Sequence, residues 1–483
     1  MKICYVTSEC VPFVKTGGLA DVSGSLPHAL AKLGFDIRVF LPLYDLIDKE
    51  KYELKREELL ELEINLPGIN NRFDVYSCKF NGIEYYFIDC PNYFGRGAVY
   101  STDEDENERF IFFQHAVIRF LQMLKWSPDV FHCNDWQSAL IPALLKLVYS
   151  WDNLFAKSKS LLSIHNIGYQ GMFDPDSVLK AGFGESTFVL GGPFEFNGFV
   201  NFLKAGIFYA DFVSTVSPTY SKEIQTPEFG SGLEGVLKAR GDKVFGILNG
   251  IDSDDWNPSS DRLINRNYTY KTIGEKEYNK RYLLSKAGIE YNPGIPLFGI
   301  VSRLAWQKGL ELVVELTEKR ADGKFHMIIL GNGEKKYEDF FKTASIKHKG
   351  IIKSFIEYDN KMAHLITAGA DFFLMPSRYE PCGLNQMYSL NYGTVPIVRK
   401  VGGLSDTVVD ITENENGNGF SFKEFNYIDF ENCFDSAIKL YADKERLLKA
   451  ILNGMTRDFS WEKSAKEYAG LYKQLVSSIR FSG

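Results

Sequence analysis

The chain has 483 residues, of which 45% are hydrophobic and 24% are charged, and its formal net charge is −7. This length is more than one hydrophobic core organises, so we expect two large domains in an ordinary soluble globular protein. The negative charge argues against nucleic acid as the main partner, because a phosphate backbone needs a basic surface. The sequence contains no run of about 18 apolar residues, which argues against a membrane span.

The cysteines are scattered along the sequence, at positions 4, 10, 78, 90, 133, 382 and 433. None belongs to a Cys-x-x-Cys pair, so the pattern predicts neither a zinc site nor a disulfide framework. Free thiols suit a reducing cytoplasm, and a strand that begins at Lys2 leaves no room for a targeting peptide. We therefore expect a cytoplasmic protein without a metal site.

The first part of the chain, residues 2–41, has the pattern of a β-loop-α-β unit. An apolar strand at 3–7 is followed by apolar residues at helical spacing and then by a second strand at 37–41. Pro27 lies inside the helical stretch and predicts either a kink or a later start of the helix.

The loop of this unit is Lys15-Thr-Gly-Gly-Leu-Ala-Asp21. It differs from the Gly-x-Gly-x-x-Gly fingerprint of dinucleotide-binding proteins, which argues against a dehydrogenase. The adjacent Gly17 and Gly18 allow the backbone to approach a ligand closely, and Lys15 adds a positive charge. A simple glycine turn beside a solvated lysine would produce the same pattern.

Residues 50–110 carry weaker signals. The charge-rich stretch at 50–63 is typical of a solvated surface. Residues 85–89 predict a strand, and residues 95–107 predict a polar loop.

Two further strands of the first half end in polar residues. Asp135 and Trp136 follow the strand that begins at Asp129, with a helix predicted from about Gln137, and His165 follows the apolar run at 161–164. Parallel α/β sheets bind ligands at the carboxyl ends of their strands, although a helix-capping aspartate and a structural histidine would look the same. Further on, Asn249-Gly250 predicts a turn where the chain crosses between domains.

The second half repeats the alternation of strands and amphipathic helices. Strands are predicted near 297–301, 325–330, 351–356, 371–375 and 395–398. This spacing favours a second parallel sheet.

The first of these strands leads into Ser302-Arg-Leu-Ala-Trp-Gln-Lys-Gly309. Two cations, Arg303 and Lys308, lie here between a strand end and a helix start. They would suit a diphosphate, but a pair of solvated basic residues is the simpler interpretation of this segment alone.

The fourth strand leads into a loop with one carboxylate, Glu380, followed by Gly383, Leu384 and a helix that Gly393 ends. The start of a helix attracts anions through its unpaired N–H groups and its dipole. The other interpretation is an ordinary connection whose Glu380 faces water. Cys382 is interpreted as a small packing residue and not as a nucleophile.

These motifs together resemble one family. Glu380-Pro-Cys-Gly-Leu384 with Gln386 resembles the donor-site loop of bacterial glycogen synthases and plant starch synthases. The Lys15 loop, Asp135-Trp136, His165-Asn-Ile-Gly-Tyr-Gln-Gly171 and the Arg303 loop occur in the order of that family, so the resemblance runs from Lys2 to about Leu475.

The resemblance implies an α/β fold with two Rossmann-like domains facing a deep cleft, the GT-B architecture. The expected ranges are 1–248 for the acceptor-side domain, 249–460 for the donor-side domain and 461–483 for a helix that returns to the first domain. Two positions depart from the family pattern. Asn134 replaces a histidine, and Asn385 stands where relatives often carry threonine.

The resemblance also implies the roles of individual residues. Catalytic roles fall to Glu380, Arg303, Lys308, His165 and Asp135. Substrate binding falls to Lys15, Gly17, Gly18, Asn166, Asn249, Tyr358, Gly383 and Leu384. Tyr358 would stack on the nucleotide base, and Tyr100 lies where the family has an aromatic residue near the nucleotide.

The implied reaction transfers glucose from ADP-glucose to the non-reducing end of an α-1,4-glucan with retention of configuration, and needs no cofactor or metal ion. Arg303, Lys308, Lys15 and the helix start at Gly383 would stabilise the departing diphosphate. Glu380 would orient the sugar. Whether it also acts as a nucleophile stays open, as does the choice between ADP-glucose and UDP-glucose.

Three other functions fit the sequence less well. A sucrose or trehalose-phosphate synthase would lack the Lys15 loop together with the Asp135 and His165 motifs. A glycogen phosphorylase would need a lysine-bound pyridoxal phosphate and a much longer chain. A non-catalytic glucan-binding scaffold would not need Arg303, Lys308 and Glu380 at once.

Overall fold

The computed structural model describes residues 1–58 and 62–477. The predicted charged stretch at 50–63 and the predicted tail at 461–483 therefore lie partly outside the described residues. The chain separates into two compact units. The first comprises residues 1–216, 221–250 and the segment that begins at Trp461, and the second comprises residues 217–220 and 251–460.

The strands are β1 (Lys2–Val6), β2 (Asp36–Pro42), β3 (Lys55–Arg56), β4 (Leu62–Leu66), β5 (Ile69–Phe80), β6 (Ile83–Asp89), β7 (Val130–Asn134), β8 (Lys159–Ile164), β9 (Met172–Phe173), β10 (Glu195–Phe196), β11 (Phe199–Asn201), β12 (Phe212–Thr215), β13 (Val244–Gly246), β14 (Leu297–Val301), β15 (His326–Leu330), β16 (Ile352–Phe355), β17 (Phe372–Met375), β18 (Val395–Arg399) and β19 (Phe420–Phe422).

The helices are α1 (Gly18–Lys32), α2 (Pro91–Phe94), α3 (Glu106–Leu124), α4 (Ile141–Leu147), α5 (Ser177–Lys180), α6 (Phe202–Tyr209), α7 (Pro218–Glu223), α8 (Glu234–Ala239), α9 (Lys276–Ala287), α10 (Leu310–Arg320), α11 (Lys335–Lys347), α12 (Asn360–Gly369), α13 (Asn385–Asn391), α14 (Gly402–Thr407), α15 (Tyr427–Ala442), α16 (Lys444–Met455) and α17 (Trp461–Ser477). None of these helices, within the described parts of the chain, has the length and hydropathy that a membrane crossing requires.

The sheet of the first unit has the strand order β13-β12-β8-β7-β1-β2-β6-β5-β3, with β4 paired to β5. The strands from β13 to β6 run parallel, and β3, β4 and β5 add an antiparallel edge. The central strands β1, β7 and β8 are buried along almost their whole length. Strands covered on both faces need continuous apolar runs, which is why the sequence predicts them.

Three local predictions in this unit need correction. α1 begins at Gly18 and continues through Pro27, so the later start is wrong. The loop predicted at 95–107 ends earlier, because α3 begins at Glu106. The helix predicted from about Gln137 is a short 3₁₀ turn at Trp136–Ser138, and α4 begins only at Ile141, with a proline in its first turn.

The sheet of the second unit is parallel, with the order β16-β15-β14-β17-β18-β19. The five predicted strands are confirmed to within one residue at each end. The sixth strand, β19, was missed, because three residues are too few for a periodic signal.

The helices of the second unit form two groups: α10 packs with α11 and α15, and α12 packs with α9 and α13. Right-handed crossovers place these groups on opposite faces of the sheet. The chain direction across the sheet reverses between β14 and β17. In open α/β sheets such a switch point is where ligands bind.

The tight turn between Lys308 and α10 generates a prediction about stability. Gly309 has φ +63°, and a Cβ there would lie 2.0 Å from the Pro376 carbonyl oxygen, whereas Gly350 has φ +84° and open space around it. We expect Gly350→Ala to cost about 1 kcal/mol through left-handed strain alone. Gly309→Ala should cost several times more, because backbone atoms must move apart. Urea midpoints of the two variants measure the difference, and equal midpoints would contradict it.

Candidate active site

The Lys15 loop of the first unit is anchored by a buried carboxylate that the sequence analysis missed. Glu9 is 3% exposed. Its Oε2 accepts hydrogen bonds from Thr16 N at 2.5 Å, Thr16 Oγ1 at 2.6 Å and Gly17 N at 3.1 Å. Lys15 stays at the surface with its Nζ 2.7 Å from Asp21 Oδ1. The buried Glu9 therefore fixes the backbone of the loop, while the Lys15 ammonium stays at the surface.

The two glycines of this loop leave free space above the backbone. A Cβ on Gly17 would meet only Glu9 Oε1, at 3.5 Å, and a Cβ on Gly18 would meet no atom of the described residues within 4 Å. Packing within the first unit therefore does not require glycine here. A ligand that approaches the backbone would require it.

Asp135 directly follows β7 and has a positive φ, 53°. Its Oδ1 accepts a hydrogen bond from His165 N at 2.7 Å. Burial raises the pKa of Asp135 to about 7, and the charge of Glu9 adds to the rise, whereas hydrogen bonds from the backbone N–H groups of His165 and Asn166 oppose it. This aspartate is not a helix cap but a tie between two strand ends.

Asn134 sets the tautomer of His165. Its Nδ2 donates to Val6 O at 2.9 Å, so its Oδ1 is the acceptor for His165 Nε2 at 2.9 Å. Tyr5 also donates to this oxygen, at 3.2 Å. His165 must then carry its proton on Nε2, which leaves Nδ1 as an acceptor. Burial lowers the pKa of His165 to about 3, so the ring is neutral near pH 7.

Three other residues of the first unit were also predicted to contact the substrate or to lie near the nucleotide. Asn166 Oδ1 accepts from Gly168 N at 3.0 Å, which shapes the turn after β8. Asn249 is 6% exposed, and its Oδ1 has no hydrogen-bond partner among residues 1–58 and 62–477. Tyr100 lies with its hydroxyl 2.8 Å from Ser8 Oγ. The unpaired Asn249 oxygen is an acceptor that suits a ligand hydroxyl.

In the second unit, Glu380 is 5% exposed, and its carboxylate accepts hydrogen bonds from two side chains. Lys308 Nζ donates to its Oε1 at 3.0 Å and to its Oε2 at 2.7 Å, and Ser377 Oγ donates to Oε2 at 2.8 Å. The interpretation in which Glu380 faces water is wrong. The strand-end loops bring together these two residues, 72 positions apart in the chain.

Arg303 differs from Lys308 in its surroundings. It is exposed, and its Nη2 reaches Gln307 Oε1 only at 3.5 Å. Its planar donors are therefore available to an oxyanion from solvent. Asn385 Nδ2 donates to Val301 O at 2.6 Å, which joins the start of α13 to the end of β14.

The loop after Glu380 is packed against a second glycine pair that the sequence analysis did not single out. A Cβ on Gly402 would lie 1.9 Å from Glu380 O, and one on Gly403 would lie 2.1 Å from Cys382 O. Gly383 has φ 71°, and a Cβ there would lie 2.5 Å from Gln386 Oε1. The sequence could have identified this glycine pair, because Lys400-Val-Gly-Gly-Leu-Ser-Asp406 repeats the pattern of the Lys15 loop.

Two predicted substrate contacts of the second unit lie at the carboxyl end of its sheet. Tyr358 follows β16 and is 77% exposed. Leu384 precedes α13, which has only seven residues. A helix this short has a weak dipole, so the predicted anion attraction of its start is smaller than expected.

Comparisons with known proteins agree with this geometry. The family model for the starch synthase catalytic domain matches residues 2–239, and the model for glycosyl transferases group 1 matches residues 286–453. A glycogen synthase from Clostridium botulinum (strain Alaska E43 / Type E3) is 42% identical over 480 residues, with 98% of this chain and 99% of the relative covered. A glycogen synthase from Koribacter versatilis (strain Ellin345) is 44% identical over 483 residues, with 98% of each chain covered.

The chain belongs to the glycogen and starch synthase family. Among solved structures, the catalytic domain of starch synthase IV from Arabidopsis thaliana, bound to ADP and acarbose, has a TM-score of 0.91 and 31% identity, with 98% of this chain and 99% of that chain covered. A sucrose-phosphate synthase from Thermosynechococcus elongatus has a TM-score of 0.62 and 17% identity, with 99% of each chain covered, and this likeness concerns the fold alone.

The predicted fold class, two Rossmann-like α/β domains of the GT-B type, is confirmed for this member of the glycogen and starch synthase family. The predicted class of activity, a hexosyltransferase, is confirmed as well.

The buried histidines of the first unit generate a prediction about pH. Burial lowers the pKa of His115 to about 4, that of His132 to about 3 and that of His165 to about 3. Each is neutral when folded but gains a proton when unfolded below pH ~6.5. The raised pKa of Asp135 acts in the opposite direction, because the folded state binds that proton more tightly.

Histidines outnumber this aspartate, so the unfolding free energy should fall as pH drops from 6 to 5. In this range the unfolded state binds about two more protons than the folded state. Each such proton makes the unfolding free energy change by roughly 1.4 kcal/mol per pH unit. Denaturant midpoints of the wild type and of His115→Gln, which lies outside the candidate site, should differ in slope by about one proton. Identical slopes would contradict the assignment.

Proposed function

We propose that the chain transfers glucose from ADP-glucose to the non-reducing end of an α-1,4-glucan with retention of configuration. The observation that carries the proposal is the buried Lys308–Glu380 pair at the switch point of the second sheet. The solved relative with ADP and acarbose supports a nucleoside diphosphate as one ligand. In this proposal residues 1–248 handle the acceptor and residues 249–460 handle the donor, although Asn249 itself belongs to the first compact unit. Of the predicted tail at 461–483, the described helix α17 supports the first domain.

The leaving diphosphate would be held by Arg303 and Lys308. An ammonium has three donors, and the Glu380 oxygens take two from Lys308, so one remains for a phosphate oxygen. Arg303 adds a fork of donors that matches an oxyanion. Oriented cations stabilise charge as it develops, which lowers the barrier to departure.

Glu380 would act as the counter-charge of the sugar. Both its oxygens already accept hydrogen bonds, from Lys308 and Ser377. A carboxylate held in this way is a weaker nucleophile than a free one, because attack must first release its partners. We therefore favour same-face attack, in which the departing diphosphate accepts the proton of the acceptor hydroxyl and Glu380 orients the sugar.

In the first unit, we assign Nδ1 of His165 and Oδ1 of Asn249, which has no hydrogen-bond partner among the described residues, to sugar hydroxyls. Both are acceptors, and the His165 ring is held in place by its hydrogen bond to Asn134. Lys15, Gly17 and Gly18 would meet the donor, and Tyr358 would stack on its base.

The first test compares donors. The purified protein is incubated with ADP-glucose or UDP-glucose and a maltooligosaccharide, and the release of nucleoside diphosphate and the chain length of the product are measured. We expect faster turnover with ADP-glucose and products longer by α-1,4-linked glucose at the non-reducing end. Preference for UDP-glucose would overturn the donor assignment, and binding of glucan without turnover would favour a scaffold.

The second prediction separates the two cations. Arg303→Ala should lower turnover by about 10²–10³ without loss of stability, because Arg303 is exposed. Lys308→Ala should lower turnover by a similar factor and also lower the denaturant midpoint, because it leaves the Glu380 carboxylate buried without its cation.

Lys319→Ala is the control, since Lys319 is an exposed residue of α10 whose Nζ contacts only surface partners, Glu315 Oε1 at 2.6 Å and the Tyr427 ring at 4.1 Å, among the described residues. It should change neither quantity. Near-normal turnover of a folded Arg303→Ala variant would show that the diphosphate is held elsewhere.

A further inference from the structure

An exposed tryptophan lies beside the candidate site without a part in it. Trp306 opens the 3₁₀ turn at Trp306–Lys308 and is 51% exposed. The other tryptophan of the second unit, Trp256, is packed between His364 and Tyr388, with ring centroids 3.7 Å and 3.9 Å away. The same unit thus stacks one partly buried indole between two rings and presents the other to solvent.

One face of the Trp306 ring is supported from behind. The Arg378 guanidinium carbon lies 4.6 Å from the Trp306 ring and 4.0 Å from the Phe425 ring. Arg378 Nε also donates to Glu311 Oε1 at 2.8 Å. A guanidinium stacked between two rings and held by a carboxylate keeps the indole in one orientation. The half of Trp306 that stays exposed is therefore a preformed flat surface.

Charged groups lie next to the backbone of Trp306. Trp306 N donates to Glu334 Oε1 at 2.5 Å, and Glu334 Oε2 lies 3.0 Å from Lys336 Nζ. A pyranose ring presents a C–H face that suits an aromatic ring and a rim of hydroxyls that suits such polar groups. An indole offers both an apolar face and a polar N–H.

The position of Trp306 argues against a nucleotide as its ligand. Trp306 leads into α10, on one face of the sheet, whereas Tyr358, assigned to the base, leads into α12 on the opposite face. A stable protein interface is also a poor fit, since it buries about 800 Å² on each partner and the Trp306 surface centres on one ring.

We propose that Trp306, backed by Arg378 and Phe425 and with Glu334 bound to its backbone N–H, is an anchoring subsite for an α-1,4-glucan. It binds a stretch of the polymer away from the reacting sugar and raises the affinity for long acceptors. The inference rests on the proposed function, because the glucan is the proposed acceptor.

The test measures glucan binding without turnover. Wild type, Trp306→Ala and Trp306→Phe are run in native gels that contain increasing amounts of glycogen, and the retardation yields a dissociation constant. We expect Trp306→Ala to bind glycogen about tenfold more weakly, the scale of one aromatic contact. Trp306→Phe should restore part of the loss. Trp151→Ala is the matched control, since Trp151 is a more exposed indole of the first unit, and it should bind like the wild type.

Kinetics supply the second readout. For Trp306→Ala the KM for glycogen should rise about tenfold, while kcat and the KM for the sugar nucleotide stay within about twofold. Wild-type retardation of Trp306→Ala would overturn the inference, as would an equal loss in Trp151→Ala. A changed affinity for ADP would assign Trp306 to the nucleotide, and a changed mass in light scattering would assign it to a second copy of the chain. Either result overturns the proposal.

Failure of the proposed function is distinguishable from failure of the inference. A wild-type protein without glucosyl transfer would overturn the former in the donor assay. A wild-type enzyme that transfers glucose but binds glycogen no better than Trp306→Ala would overturn the inference alone.

Discussion

Two carboxylates are removed from water at the carboxyl ends of the two parallel sheets, and each needs nearby donors to compensate for its burial. Glu9 takes the backbone N–H groups of Thr16 and Gly17. Glu380 takes the ammonium of Lys308 and the hydroxyl of Ser377. An unpaired buried charge costs several kcal/mol, roughly, so the loops have little freedom to adopt another shape. Within each unit, the conformation of the loop depends on its buried carboxylate.

The two units use the same local pattern for different physical reasons. The Lys15 loop and the Lys400 loop share Lys-x-Gly-Gly-Leu-x-Asp. In the second unit, glycine is required by the protein itself, because Cβ atoms on Gly402 and Gly403 would collide with backbone oxygens. In the first unit the space above Gly17 and Gly18 is open, which leaves room for a ligand. Repetition of a motif therefore does not imply repetition of a role.

Asn134 departs from the family pattern and fixes the neighbouring His165 ring. An amide at this position offers an acceptor whose direction is set by its other end, since Nδ2 is held by Val6 O. This geometry selects the His165 tautomer with the proton on Nε2, while burial lowers the pKa of the ring and keeps it neutral. A histidine in place of Asn134 would satisfy the same partner only in one of its own tautomers.

The sequence by itself determined the parallel part of the first sheet, five of the six strands of the second and the loops at their carboxyl ends, because periodicity, apolar runs and glycine positions are local properties. It did not predict the antiparallel edge of the first sheet. It also determined the family, through motifs in a fixed order. Only the tertiary structure decided that Glu380 is buried against Lys308, that Glu9 holds the Lys15 loop and that His165 is neutral. These depend on contacts between residues far apart in the chain and on burial, and neither has a local signature in the sequence.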